Sequence, residues 1–198
     1  MKNWTDSYFE FNLTKEEINS SISNIDFSFS NYKGFKIEFQ KGTTLKAGNT
    51  IEECIYNATL YNNGLIGKEG DDEEQINWYK KAVELGDVRS MVAIGKVYEN
   101  KNYDDFLNNV EAIKWYEKAA NLNYGEAFKK IGDKYYLGRG VTKDCNLAIS
   151  FYEKAINSGY FNSYTDLAEL YESSFQNPCK SKSKAKEARE KYSNSFKK

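Results

Sequence analysis

The sequence predicts a mainly α protein: an α-solenoid of about three to four αα-hairpin repeats behind a small β-containing N-terminal cap. Three observations carry that expectation. The strings NWYKKAVELG (77–86), KWYEKAANLN (114–123) and SFYEKAINSG (150–159) are near copies of one another. A second pattern, small–apolar–small–tyrosine at helical spacing, alternates with them along the chain. The first fifty residues instead alternate apolar and polar side chains with a period of two, which suits strands. Residues 1–49 are therefore assigned to a hairpin-and-helix cap, 50–174 to the repeat array, and 175–198 to a basic C-terminal capping helix or tail.

In the first pattern the landmarks Trp78, Trp115 and Phe151 are separated by 37 and 36 residues, a period long enough for two helices per unit. Trp78 with Ala82, Trp115 with Ala119 and Phe151 with Ala155 stand four apart, so each pair shares a helical face on which the small alanine admits a neighbouring helix. The leading aromatic of each of these second helices is expected to be buried. Four residues further on come Gly86, Asn123 and Gly159. That position must stop the helix in a left-handed conformation, which glycine adopts freely and asparagine better than most residues.

The second pattern is met by Ser90, Ile94, Gly95 and Tyr98, by Ala127, Ile131, Gly132 and Tyr135, and by Ser163, Leu167, Ala168 and Tyr171. A weaker early copy holds Ala58 and Tyr61, with Asn57 where an apolar residue is expected, entered through Thr50 and Glu53 as a capping box. The loop LGRGVTKD (137–144) places Gly138 and Gly140 in the turn and Asp144 as the cap of the next helix. In the preceding copy, ENKNYDDFLNN takes the place of the glycine turn.

The run GEAFKKIGDKYYLGRGVTKDCNLAISFYEKAINSG (125–159) resembles a Sel1-like repeat, an αα-hairpin related to tetratricopeptide repeats, and the resemblance extends over about residues 51–174. It implies a solenoid and a scaffold role in protein complexes. Bacterial members include immunity proteins that bind and block a toxin. The fourth copy shows only its first helix clearly, and SKSKAKEAREKYSNSFKK (181–198) is expected to supply a degenerate second helix, the polar end that a solenoid needs.

Upstream, IDFSFS and FKIEFQ place Ile25, Phe27, Phe29 and Phe35, Ile37, Phe39 on single faces of two strands, and Gly34 in NYKG suits the turn between them. Phe9, Phe11 and Leu13 suggest a third strand, followed by a short helix capped by Thr14 and Glu17. A bare hairpin is marginal in water, so this apolar face needs a cover.

Composition removes whole classes of chemistry. The chain has no histidine, so Ser-His, Cys-His and imidazole-metal mechanisms are absent. Cys54, Cys145 and Cys179 fall in neither a zinc spacing nor a disulfide framework, and reduced thiols are expected. With 28 basic and 29 acidic residues there is no global field for nucleic acid or membrane. The distribution is uneven: residues 180–198 carry net +6 and the remainder −7. No apolar stretch has the length of a signal peptide or a membrane span. A cytoplasmic, monomeric protein without cofactor or metal is expected.

Four motifs invite functional readings and each yields to a structural one. GLIGKEG (64–70) has the glycines of a phosphate loop, but no Ser or Thr follows Lys68, and Asp71, Asp72, Glu73 and Glu74 would repel a phosphate at that helix start. The register of Trp78, Trp115 and the tyrosines marks core rather than a base-stacking platform. The basic tail lacks the aromatic interleaving of a nucleic-acid binder. The acidic run 69–74 lacks the alternating ligands of a calcium loop.

What remains is a non-catalytic binding protein that meets a protein partner on the concave face built by the first helix of every repeat. Alignment with a tetratricopeptide helix sends Arg89, Lys96 and Glu99 to that face in one repeat, Glu126, Lys129, Asp133 and Tyr136 in the next, and Glu169 and Glu172 in the last. A toxin domain is one expected partner class, because an acidic body can steer a basic one. A general scaffold or adaptor is the alternative, and a carboxylate-dependent enzyme a remote one.

Overall fold

The computed structural model describes residues 45–65, 71–101, 105–173 and 178–195. All of them belong to the unit Lys41–Lys198 of a chain that divides after Gln40. The strands and helix expected within residues 1–44 lie outside the described residues, as does most of the 64–70 loop. Eight helices are described: α1 (Ile51–Asn62), α2 (Asp72–Glu84), α3 (Val88–Lys101), α4 (Phe106–Asn121), α5 (Gly125–Leu137), α6 (Cys145–Asn157), α7 (Ser163–Glu172) and α8 (Lys182–Ser195). There is no strand among the described residues. Each helix packs on its predecessor and its successor, which is the solenoid the periodicity predicts.

The helix ends follow the sequence closely. Thr50 Oγ1 accepts from the Glu53 N–H at 3.2 Å, and Glu53 Oε2 reaches back to the Asn49 N–H at 3.0 Å, one residue short of a reciprocal capping box. Asp71, Asp105 and Asp144 cap α2, α4 and α6 through their side chains. At the far ends Gly86, Asn123 and Gly159 have φ of 97°, 58° and 87°. Asn123 is the one non-glycine among the described residues with positive φ, so the asparagine occupies the left-handed stop that its position demanded.

Packing rests on alanine, glycine and tyrosine. Ala82, Ala119 and Ala155 are fully buried, as their spacing requires. The expectation for the aromatics is corrected by one residue: Trp78 is buried, but Trp115 and Phe151 are only half-buried, while Tyr116 and Tyr152 are 0% and 2% exposed. The reason lies in the first helices. Gly95 and Gly132 expose bare backbone, and the rings of Tyr116 and Tyr152 occupy the room a Cβ would take. Trp115 instead flanks the cluster of Ile76, Ile94 and Val97, and the Lys118 ammonium covers its other side 3.7 Å from the ring centroid. The same lysine, three residues on, covers Trp78 and Phe151.

Asn57, anomalous in the sequence, is fully buried. Its carboxamide accepts from the Lys46 N–H at 2.8 Å and donates to the Lys46 carbonyl at 3.0 Å, so it satisfies a backbone unit of the segment that leads into α1. In that segment Gly48, at φ 77°, abuts the Trp78 ring.

At the other end, Cys145 and Cys179 form a disulfide with a Cα–Cα distance of 6.2 Å. This corrects the expectation of three reduced thiols. The two cysteines are 34 residues apart, but α7 folds back against α6, so the start of α6 meets the segment entering α8. Cys54 is free and buried. Helix α8 stands where a second helix would, packed on α7 with Ala185 and Ala188 in the core formed by Tyr152, Leu167, Leu170 and Tyr171.

Candidate functional site

The first helices α3, α5 and α7 carry the residues assigned to the partner face, and the structure binds many of them to each other. Between α3 and α5, Lys96 Nζ lies 2.7 Å from Glu126 Oε1. Lys129 Nζ sits 2.8 Å from Asp133 of its own helix and bridges from α5 to α7 by lying 3.5 Å from Asp166. Asp133 also accepts from the Tyr152 hydroxyl at 3.0 Å. These charged side chains form a ribbon of ion pairs across the first helices of three consecutive repeats.

Burial sorts the members of this ribbon. Arg89, tied to Asp87 at 2.9 Å, keeps 67% of its side chain in solvent, and Lys96 keeps 45%. Glu126, Lys129, Asp133 and Tyr136 are half-buried, and Glu169 and Glu172 are exposed. Glu172 pairs with Arg189 of α8 through both carboxylate oxygens. Tyr136 lies under the Lys143 ammonium. Glu99 is different: it is buried, 2.6 Å from the Lys134 ammonium and 3.6 Å from that of Lys130.

Several members of this network were not singled out from the sequence: Lys130, Lys134, Asn109 and Asp166. Lys134 left a signal. Its counterparts one repeat away are Val97 and Leu170, both buried, so a lysine there breaks an apolar register. It is 2% exposed and also donates to the Asn109 side chain, whose amide in turn donates to the Asp105 carbonyl at 2.7 Å. A buried ammonium needs such partners.

The electrostatics follow from this packing. Burial, aided by the Glu99 and Asp133 charges respectively, pushes the Tyr116 and Tyr152 hydroxyls far above the usual tyrosine range. Burial also raises Asp166, with Lys129 opposing and Asp133 reinforcing the rise. For Lys129 burial works downward, yet the Asp133 charge and hydrogen bond outweigh it and the net shift is upward. The result is a set of charges matched within the protein. Among the described residues no group of three or more Cys, Asp or Glu side chains is placed to hold a metal ion, and no helix is long and apolar enough to cross a membrane.

Helix pairs of this period, with a small-residue seat in each first helix and a left-handed stop after the second, define a tetratricopeptide-related αα-hairpin solenoid. The sequence model of the Sel1 repeat matches residues 58–87, 106–124 and 130–160, so the array carries Sel1 repeats at these three segments. The crystal structure of a Sel1 repeat protein from Oxalobacter formigenes is similar, with a TM-score of 0.55 and 27% identity over 75% of this chain and 59% of that one. So is c5321, a protective antigen of uropathogenic Escherichia coli strains with an SLR fold, with a TM-score of 0.52 and 23% identity over 75% of this chain and 34% of that one. This chain therefore spans less than two thirds of the length of either. A comparison with curated proteins finds no match. Sel1-repeat proteins are in general non-enzymatic scaffolds that mediate protein–protein interaction.

Proposed function

We propose that this chain is a protein-interaction module that engages its partner on the face formed by α3, α5 and α7. Arg89, Lys96, Glu126, Lys129, Asp133, Tyr136, Glu169 and Glu172 are the residues of that face, while Glu99, sent there by the alignment, is buried beneath it. The observation that carries the reading is the charge ribbon: the ion pairs Lys96–Glu126 and Lys129–Asp133–Asp166 fix charged side chains in one register across three repeats. Such side chains reach a partner with most of their ordering cost already met. Tyr136 and Arg89 are the anchors, since buried Tyr and Arg carry a disproportionate share of interface energy. Glu99 acts through Lys130 and Lys134 and positions the ribbon.

In its narrower form the reading makes the partner a toxin domain with a basic surface and the chain its immunity protein. The net −7 of residues 1–179 supports this, through steering of a cationic partner. Capture with the full chain from its native cell, followed by mass spectrometry, identifies the partner. Tyr136→Ala and Arg89→Ala should each then weaken its binding by about 30-fold or more. Exchanging the charges in a Lys96→Glu/Glu126→Lys variant keeps the ion pair and the melting temperature but reverses the ribbon, and should also reduce affinity. Undiminished binding by all three variants moves the site off this face.

A further inference from the structure

We propose that the Cys145–Cys179 bridge is a thiol–disulfide latch on the capping helix α8, closed when oxidised and opened by a dithiol reductant. The bridge joins the first residue of α6 to the three-residue approach to α8 and encloses all of α7. Beyond the bridge, helix α8 is held at its exposed edges: the Tyr192 hydroxyl donates to Asn162 Oδ1 at 3.3 Å, the Ser181 N–H donates to the Tyr171 carbonyl at 2.9 Å, and the Lys184 ammonium covers the Tyr171 ring. Of its 14 residues only Ala185 and Ala188 are buried. Two of its ion pairs, Lys186–Glu190 and Lys191–Glu187, lie within the helix and add nothing to docking. The pair that reaches α7, Arg189–Glu172, is about half exposed on both sides, where such contacts contribute little. A helix of this length is marginal in water without its packing surface, so the tether at its base governs how often it undocks.

Undocking has a defined consequence. Leu167, Leu170 and Tyr171 on α7 are 6%, 0% and 7% exposed and share one core cluster with Ala185 and Ala188. Without α8 this end of the array presents an apolar helix face.

The chemistry balances as an exchange. One thiolate of the dithiol attacks the sulfur of Cys179, the more exposed of the two cysteines. The S–S bond breaks, and Cys145 leaves as a thiolate that then takes a proton. The second thiolate of the reductant attacks the mixed disulfide, Cys179 departs and is protonated, and the reductant ends as its own disulfide. Two electrons and two protons have passed from the dithiol to the bridge. Cys145 opens α6, and free N–H groups of a helix start favour a departing thiolate, although the neighbouring Asp144 carboxylate opposes this in part. Cys54 does not compete, because it is fully buried and burial raises its thiol pKa. In a reducing cytosol a bridge reachable at Cys179 turns over, so the latch is open there and oxidation closes it.

The test uses the full chain. Alkylation under denaturing conditions followed by peptide mass spectrometry should find Cys54 alone reactive in the air-oxidised protein and all three cysteines reactive after dithiothreitol. Hydrogen exchange should then rise about tenfold or more in peptides spanning 163–172 and 182–195 on reduction, with 88–137 unchanged. A Cys145→Ser/Cys179→Ser variant should match the reduced protein. Unchanged exchange in α8 after reduction overturns the latch. So does a full complement of free thiols in the oxidised protein, and so does loss of protection across the whole array, which would make the bridge a general staple.

Discussion

The ring of Tyr152 is seated on the backbone of Gly132, where a methyl group would come within 2.7 Å of Cε1. One repeat earlier Tyr116 sits on Gly95 in the same way. Helix propensity alone favours Gly132→Ala by roughly 1 kcal/mol, but the ring has to move to admit the methyl group, and overpacking costs about 1–3 kcal/mol. Gly132→Ala should therefore lower stability in urea unfolding despite the better helix former. An unchanged or raised midpoint would show that the seat is not tight.

The same relationship ranks two adjacent aromatics. Tyr116→Ala should remove about 3–5 kcal/mol, as for a fully buried ring. Trp115→Ala should remove on the order of 2 kcal/mol, because the indole is only half-buried and part of its contact is with Lys118. Equal losses in thermal melting would return the core to the tryptophan register.

Lys134 supplies a sharper contrast. Lys134→Ala leaves Glu99 facing the core with only the more distant Lys130, and breaking a buried pair in this way costs about 3–5 kcal/mol. The double change Glu99→Leu/Lys134→Met removes both charges and should recover most of that loss. A double variant no more stable than Lys134→Ala would mean the network is indispensable for reasons beyond charge.

The tyrosines fix the alkaline limit of stability. Folded Tyr116 and Tyr152 have pKa values raised well above the ordinary value of about 10. The folded chain keeps these protons where the unfolded chain loses them. Their stabilising effect is whole below pH ~10 and declines as pH rises above it. Melting temperature should fall steeply beyond that point, with tyrosinate absorbance appearing together with unfolding, and a Tyr116→Phe/Tyr152→Phe variant should show a shallower fall. Full tyrosine ionisation before unfolding would contradict the burial.

Most of the solenoid was legible because its signals are local. The stops at Gly86, Asn123 and Gly159, the caps at Asp144 and Thr50, and the buried alanines each depend on a few neighbouring residues. Which of two adjacent aromatics faces inward was not legible, since it depends on the glycine of another helix. The bridge between Cys145 and Cys179 was hidden for the same reason: only the return of α7 closes their separation of 34 residues. For the candidate face, an alignment to one helix could place Lys96, Glu126 and Lys129 on the outside. It could not show that they meet one another across repeats, and Asp166 and Lys134 enter only through those meetings.

The ribbon also constrains how such a chain can grow or shrink. Glu126, Lys130 and Lys134 of α5 are matched to Lys96 and Glu99 of α3. At the equivalent positions of α1 stand Thr59 and Asn62, neither of them charged. Excising the unit α3–α4 would bring α1 against α5 and strand the buried Lys134 without its anion, even though the hairpin geometry would still fit. The units are thus modular in backbone but not in electrostatics. Gains and losses of whole hairpins are resisted between Lys96 and Asp166, where each unit carries the counter-charges of the next.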